Sequence, residues 1–149
     1  MTKFYAIPGL RVGYLAAPER AIRLLRQALP PWTVNTPALA AAIACLRDHA
    51  YQQTTLELIP KLRRQLAAGL TSLGLTVFDS VANYLLVQLP DSGMRAPLLT
   101  ERLRGEGILI RDCSNFASLD DRFIRLAVRT TGENNRLLIA LRQVLAQGS

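Results

Sequence analysis

The stretch TKFYAIPGLRVGY, residues 2–14, places Lys3 eight positions before an arginine that stands between two glycines. The apolar residues around Arg11 predict a buried strand. Gly9 and Gly13 would leave room there for a bulky ligand. A lysine desolvated beside such a strand can act as a nucleophilic amine, and Arg11 can bind a phosphate through two hydrogen bonds. The alternative interpretation is that Lys3 is an ordinary solvated charge.

Two helices are predicted directly after this stretch. Pro18 suits the first turn of the first helix, which should end at Pro30. Thr36 is predicted to cap the second helix, with Pro37 in its first turn. Residues 38–46 are apolar all round, so this helix should be covered on most sides. A partner domain or a second subunit would provide that cover.

The chain becomes β-rich after a third predicted helix. This helix spans residues 51–73, and Pro60 should kink or restart it. Beyond it the pattern predicts an α+β unit of about three strands and two or three helices. Strands are predicted at residues 75–78, 82–89, 108–111 and 123–129, and helices at residues 96–104 and from Thr131 onwards.

The last predicted strand, FIRLAVR at residues 123–129, carries arginines on one face. Side chains alternate between the two faces of a strand, so Arg125 and Arg129 lie opposite the apolar set. Arg111, at the end of the preceding strand, can join them in a surface that binds anionic groups. The alternative is a solvated face with scattered salt bridges to nearby carboxylates, namely Asp112, Asp120 and Asp121.

Length and composition limit the function classes. The 149 residues are 50% hydrophobic and 19% charged, which excludes intrinsic disorder and suits one modest domain or part of a larger one. No apolar run reaches the roughly 18–20 residues of a membrane span, and no signal core follows the first residues. Two cysteines and one histidine provide no disulfide framework, zinc site or histidine-based triad. We therefore expect no metal and a reducing, cytoplasmic setting.

The formal net charge of +7 comes mainly from arginine, since 16 of the 18 basic residues are arginines and two are lysines. Arginine is favoured where a planar, forked side chain must recognise phosphate or carboxylate. A genome whose codon composition favours arginine explains the count equally well. Charge alone therefore does not separate an enzyme from a non-enzymatic module that binds anions or nucleic acid.

The stretch at residues 2–14 resembles the cofactor-lysine motif of fold-type I pyridoxal-phosphate enzymes, the aspartate aminotransferase superfamily. The resemblance implies that Lys3 carries pyridoxal 5'-phosphate covalently and is catalytic. It also implies that Arg11 holds the cofactor phosphate and that the hydroxyl of Thr2 contacts the same phosphate. The fold class it implies is α/β to α+β, the C-terminal part of the fold-type I aminotransferase fold.

The resemblance further implies a division into three parts. Residues 1–50 would end the large cofactor-binding domain, residues 51–74 would form a linking helix, and residues 75–149 would form the small C-terminal α+β domain. A complete family member has a long region before the lysine, which supplies an aspartate to the cofactor's ring nitrogen. We therefore expect this chain to be a fragment that is poor or inert alone, and the full-length enzyme to be a homodimer.

Within the superfamily the chain is similar to two branches, threonine-phosphate decarboxylases of cobalamin biosynthesis and histidinol-phosphate aminotransferases. In both branches Arg125 would bind the substrate α-carboxylate and Arg111 the substrate phosphate. Arg129 stands where aminotransferases usually have glycine, which favours the decarboxylase branch. That branch is a carbon–carbon lyase, which implies a small phosphorylated amino acid as substrate and neither nucleic acid nor membrane as partner.

Overall fold

The chain divides into two compact units, Met1–Thr55 and Leu56–Ser149, in a computed structural model that describes residues 1–147. Residues 1–147 combine helices with one β-sheet, which agrees with the predicted fold class. No helix among residues 1–147 is long and apolar enough to span a bilayer. The division into residues 1–50, 51–74 and 75–149 stays a prediction.

The first unit is helical. Helix α1 spans Glu19–Ala28, helix α2 spans Thr36–Arg47, and helix α3, His49–Ser72, begins here. A short 3-10 turn, Pro8–Leu10, precedes them. The unit has a small apolar cluster of buried and partly buried residues, formed by Met1, Ile7, Leu10, Val12, Ala38 and Ala42.

The strand predicted around Arg11 is wrong. Arg11 ends the 3-10 turn in a left-handed conformation, with φ 52° and ψ 46°, and the residues that follow it have no regular structure up to Pro18. Tyr14 and Leu15 are exposed. The first unit, residues 1–55, contains no strand with which this segment could pair, and an isolated strand would leave its backbone groups without partners.

Helix α2 begins one residue away from the predicted cap. The cap is Asn35, whose Oδ1 accepts a hydrogen bond from the Ala38 backbone N–H at 2.8 Å, and Thr36 is the first helical residue. Both residue types cap helices, and Pro37 fits either register. Its apolar residues are only partly covered: Ala38 and Ala42 are buried, whereas Leu39, Ile43 and Leu46 are exposed.

Helix α3 continues without a break through Pro60, so the restart is wrong, whereas the kink that was the other predicted outcome stays a prediction. A proline inside a helix removes one hydrogen bond and costs about 3 kcal/mol. Burial of Leu62, Leu66 and Leu70, spaced four residues apart on one face, offsets that loss. Packing in the second unit therefore decides the course of this helix.

The second unit contains a four-stranded antiparallel sheet, with one strand at each of the four predicted strand segments. Its strands are β1 at Thr76–Val77, β2 at Tyr84–Gln88, β3 at Arg111–Asp112 and β4 at Phe123–Ala127, in the order β1-β2-β4-β3. Helix α4 spans Ala96–Gly105 and helix α5 spans Thr131–Ala146. Strand β3 lies at the end of the predicted segment rather than along it.

One face of this sheet is buried under the helices. Ile124 and Leu126 of β4 point into the core, as the period-two pattern predicts. The core also takes fully buried residues from the three helices: Leu66, Leu70, Leu99, Leu103 and Leu141. The opposite face carries Arg125, which is only half-buried.

Truncation of the core leucine of α3 tests this arrangement. Leu66 has no exposed surface, whereas Leu56 on the same helix is 62% exposed. We expect Leu66→Ala to lower the free energy of unfolding by about 2–5 kcal/mol, because it leaves a cavity. Leu56→Ala should change it by less than about 0.5 kcal/mol. Urea unfolding followed by circular dichroism measures both, and equal effects would contradict the assigned core.

Candidate functional site

The loop that carries Lys3 is held by few hydrogen bonds. The Tyr5 backbone N–H donates to the Met1 carbonyl at 3.1 Å, and the Ala6 N–H donates to the Lys3 carbonyl at 3.3 Å. Lys3 itself is exposed, so its amine is open to an incoming aldehyde. The desolvated setting proposed for this lysine is absent from the described residues.

Arg11 keeps most of its hydrogen-bonding capacity. One guanidinium nitrogen, Nη1, donates to the Pro8 carbonyl at 3.1 Å, and the side chain is otherwise exposed. A left-handed backbone conformation costs a non-glycine residue about 1–2 kcal/mol. Arg11 has this conformation, so its surroundings must stabilise it by at least that amount. A Cβ placed on Gly9 or Gly13 would meet nothing within 4 Å. The segment is therefore open enough for a bulky ligand.

These three side chains suit pyridoxal phosphate by their chemistry. Lys3 offers a primary amine for the cofactor aldehyde. Arg11 offers a planar guanidinium for the phosphate, and the half-buried Thr2 offers a hydroxyl for the same group. The open space around the two glycines is consistent with a ring-sized ligand. The residues present therefore fit the cofactor that the family resemblance implies.

The second unit places two predicted site residues side by side. Arg111 of β3 and Arg125 of β4 are direct partners in the antiparallel register. Directly opposed residues share a face, and two like charges in that position repel each other. We call Arg111 and Arg125 the arginine pair. A bound anion would relieve the repulsion, so the pair is suited to carboxylate or phosphate.

Aromatic rings orient the arginine pair. The Arg125 guanidinium carbon lies 5.1 Å from the centroid of the Tyr84 ring, and that of Arg111 lies 5.8 Å from the Phe116 ring. Arg111 Nη2 also donates to Asn115 Oδ1 at 3.0 Å. Cation–π contacts hold a guanidinium without neutralising it. Both arginines therefore keep their charge for a ligand.

Sequence reasoning missed these three supporting residues. Tyr84 was detectable, since it shares the open face of β2 with Leu86, the register partner of Arg125. Asn115 and Phe116 lie in the loop after β3 and have no periodic signal. Their role depends on a turn that returns the chain toward Arg111.

The carboxylates predicted as alternative salt-bridge partners are used elsewhere. Within residues 1–147 neither member of the arginine pair forms an ion pair. The three aspartates have other partners: Asp112 accepts from the Ser114 N–H at 2.8 Å, Asp120 pairs with Arg122 at 2.8 Å, and Asp121 lies 3.9 Å from Arg95. Those predicted salt bridges are therefore wrong.

Arg129 is engaged in the start of α5. Its Nε and Nη2 both lie 2.6 Å from Glu133 Oε1. Glu133 also forms a capping box with Thr130, and the buried Asn134 accepts from the Arg129 backbone N–H at 3.0 Å. The hydrogen bonds from Arg129 and then Thr130 lower the pKa of Glu133 to about 2. Arg129 thus differs from the arginine pair, which has no carboxylate partner among residues 1–147.

The remaining candidate groups show no nucleophilic arrangement. Burial raises the pKa of the Cys113 thiol, although the nearby charges of Arg125 and Arg111 act in the opposite direction. His49 is exposed at the first position of α3. No group of three or more His, Cys, Asp or Glu side chains in the described part of the chain is arranged to hold a metal ion.

Comparison with known sequences identifies a family match along nearly the whole chain. The family described as aminotransferase class I and II matches residues 1–141. Threonine-phosphate decarboxylase from Salmonella typhimurium is 42% identical over 149 residues, which cover 97% of this chain and 40% of that protein. The chain therefore spans about two fifths of the length of this curated relative.

Solved structures share the fold. The histidinol-phosphate aminotransferase from Clostridium acetobutylicum has a TM-score of 0.89 at 35% identity, covering 99% of this chain and 44% of that one. The histidinol-phosphate aminotransferase from Sinorhizobium meliloti, solved in complex with pyridoxal-5'-phosphate, has a TM-score of 0.83 at 27% identity. It covers 97% of this chain and 39% of that one.

The low pKa of Glu133 predicts a pH dependence of stability. A carboxyl whose pKa is lower in the folded state stabilises the fold above its ordinary value of 4.5, and the effect fades as the pH falls toward about 2. We expect wild type to be more stable than Glu133→Gln near neutral pH, and the difference to shrink below about pH 4.5. Urea unfolding of both proteins at several pH values measures it. A difference independent of pH would contradict the assigned ion pair.

Proposed function

The chain belongs to the aminotransferase class I and II family, and on that basis we propose that the protein decarboxylates L-threonine O-3-phosphate with pyridoxal phosphate as cofactor. The product would be aminopropanol phosphate, a precursor in cobalamin biosynthesis. The observation that carries the choice of reaction is the 42% identity to a threonine-phosphate decarboxylase over 97% of this chain. The proposal includes a cytoplasmic homodimer as the complete enzyme.

In this proposal Lys3 carries the cofactor and Arg11 binds its phosphate, with help from the Thr2 hydroxyl. When bound, pyridoxal phosphate supplies an electron-withdrawing ring that accepts the electron pair released at the substrate Cα. Arg11 offers two parallel N–H groups to the phosphate, which fixes orientation as well as affinity. The exposure of the Lys3 and Arg11 side chains supports these roles.

The arginine pair would bind the substrate at two anionic groups, Arg125 at the α-carboxylate and Arg111 at the phosphate. Two fixed contacts determine how the substrate is rotated about Cα, and hence which bond can break. Binding the carboxylate too tightly would oppose its loss as neutral carbon dioxide. The contribution of Arg125 is therefore mainly orientation, which agrees with a guanidinium held by the Tyr84 ring.

Lys3 would also move the proton that completes the reaction. The bond between Cα and the carboxylate breaks, carbon dioxide leaves, and the Lys3 ammonium donates a proton to Cα. A primary amine at the end of a flexible stem can serve both as covalent anchor and as acid.

Histidinol-phosphate amino transfer is the second candidate. It is favoured by the TM-score of 0.89 and 35% identity to a histidinol-phosphate aminotransferase. The arginine pair suits that substrate class as well, since its members also carry phosphate. The two reactions differ at Cα: amino transfer breaks the Cα–H bond, with the Lys3 amine as base.

Cofactor trapping tests the role of Lys3 directly. The Lys3 amine and the aldehyde of pyridoxal phosphate condense to an imine with loss of one water, and borohydride reduces that imine to a stable secondary amine. We expect peptide mapping of the reduced chain to find the cofactor on Lys3 and far less on Lys61, the other lysine. Arg11→Ala should weaken retention by roughly tenfold, because a charge-assisted contact is lost.

Lys61→Ala serves as the matched control for Lys3→Ala, because Lys61 lies exposed on α3. Loss of the label in Lys3→Ala and its persistence in Lys61→Ala support the proposal. Equal labelling of scattered amines, unchanged by Lys3→Ala, would contradict it.

The choice of reaction is tested with the full-length protein. We expect L-threonine O-3-phosphate to release carbon dioxide and aminopropanol phosphate in the absence of an amino acceptor. Conversion of 2-oxoglutarate to glutamate with histidinol phosphate, without release of carbon dioxide, would favour the second candidate. Arg125→Lys should lower kcat/KM for L-threonine O-3-phosphate by about tenfold or more, because lysine cannot bind the substrate carboxylate bidentately.

A further inference from the structure

Three aromatic rings contact one another beside Lys3, those of Phe4, Tyr5 and Tyr51. The Tyr51 and Tyr5 rings stack with centroids 5.8 Å apart at 23°, and the Phe4 ring meets Tyr5 edge-on at 4.9 Å and 72°. Phe4 and Tyr51 are also edge-on, at 6.3 Å and 74°. Aromatic pairs in these geometries contribute beyond the area they bury. The residues directly after the lysine are thus held by a ring that comes from α3.

Tyr51 adds a hydrogen bond to the same peptide. Its phenolic Oη donates to the Phe4 carbonyl oxygen at 3.0 Å, across 47 residues of sequence. The bond fixes the plane of the peptide that begins one residue after Lys3. The stacked ring and the hydroxyl therefore constrain both side chain and backbone beside the lysine.

The loop needs such a constraint. Residues 1–7 form no helix or strand, and within the loop only the bonds to the Met1 and Lys3 carbonyls hold the backbone. Ala6 has a φ of 52°, a conformation that a non-glycine residue adopts only when surrounding contacts enforce it. Without the contacts from Tyr51, the backbone after Lys3 would be free to relax.

Tyr51 is itself well anchored. It is the third residue of α3, and its backbone N–H donates to Asp48 Oδ1 at 2.9 Å. The neighbouring Gln52 Nε2 donates to the Leu46 carbonyl at 3.1 Å, which ties the start of α3 to the end of α2. The ring of Tyr51 therefore projects from a fixed helical turn.

We propose that Tyr51 is a positioning residue for Lys3: its hydroxyl and ring hold the Phe4–Tyr5 peptide so that the lysine amine is presented in one orientation. The proposal rests on the proposed function, in which Lys3 carries the cofactor. A group that forms a covalent bond must be held within a few tenths of an ångström of its productive geometry. Tyr51 is 39% exposed and lies outside the buried cluster of the first unit, so its main effect is on the loop rather than on overall stability.

Tyr51→Phe tests the hydrogen bond alone, because it retains the ring. Tyr14→Phe is the matched control, since Tyr14 is 79% exposed and has no described partner. The first readout needs no cofactor: hydrogen exchange at the Tyr5 and Ala6 amides should accelerate by about threefold to tenfold in Tyr51→Phe. The second is the rate of borohydride-trapped attachment of pyridoxal phosphate at Lys3, which should fall by a similar factor. Because only one exposed hydrogen bond is lost, the unfolding midpoint should fall only slightly, and labelling at Lys61 should not change.

The outcomes separate this proposal from the one it rests on. Labelling of Lys3 at the wild-type rate in Tyr51→Phe would overturn the positioning role, whether or not exchange accelerates, and would leave the cofactor role of Lys3 intact. Absence of labelling at Lys3 in the wild-type chain would overturn both. Slower labelling in Tyr51→Phe and normal labelling in Tyr14→Phe is the supporting result.

Discussion

The burial of only one face of the sheet is the constraint on which the arginine pair depends. Ile124 and Leu126 must leave water, and the helices α3, α4 and α5 provide the apolar cover. Because side chains alternate along a strand, burying this face places Arg125 on the other one. The register with β3 then brings Arg111 opposite it. The placement of the two cations is thus a consequence of core packing.

Regular elements of the second unit were predictable because local signals and packing agree there. The strand at residues 123–129 alternates cleanly, and the last helix starts with a capping box at Thr130 and Glu133. The first unit shows the opposite case. An apolar run around Arg11 resembles a strand, but a strand requires a neighbour, and sequence periodicity does not report whether one exists. The continuation of α3 through Pro60 likewise depends on Leu62, Leu66 and Leu70, which are buried in a core formed with residues distant in sequence.

The same distinction separates the site residues that could be predicted from those that could not. The resemblance of residues 2–14 to the cofactor-lysine motif singled out Lys3 and Arg11, alternation along the strand singled out Arg125, and their roles stay predictions. Contacts between distant segments had no sequence signal. Examples are the cation–π contact between Arg125 and the Tyr84 ring and the hydrogen bond from the Tyr51 hydroxyl to the Phe4 carbonyl. Such contacts form only when the fold brings distant segments together. The sequence around the predicted residues therefore does not reveal them.

The two outer strands of the sheet, β1 and β3, are only two residues long. An edge strand exposes backbone groups to which the strand of another molecule can add, and a short edge offers very few of them. Both edges of this sheet are therefore poor templates for extension. The sheet that carries the arginine pair is in this way protected against edge-to-edge aggregation.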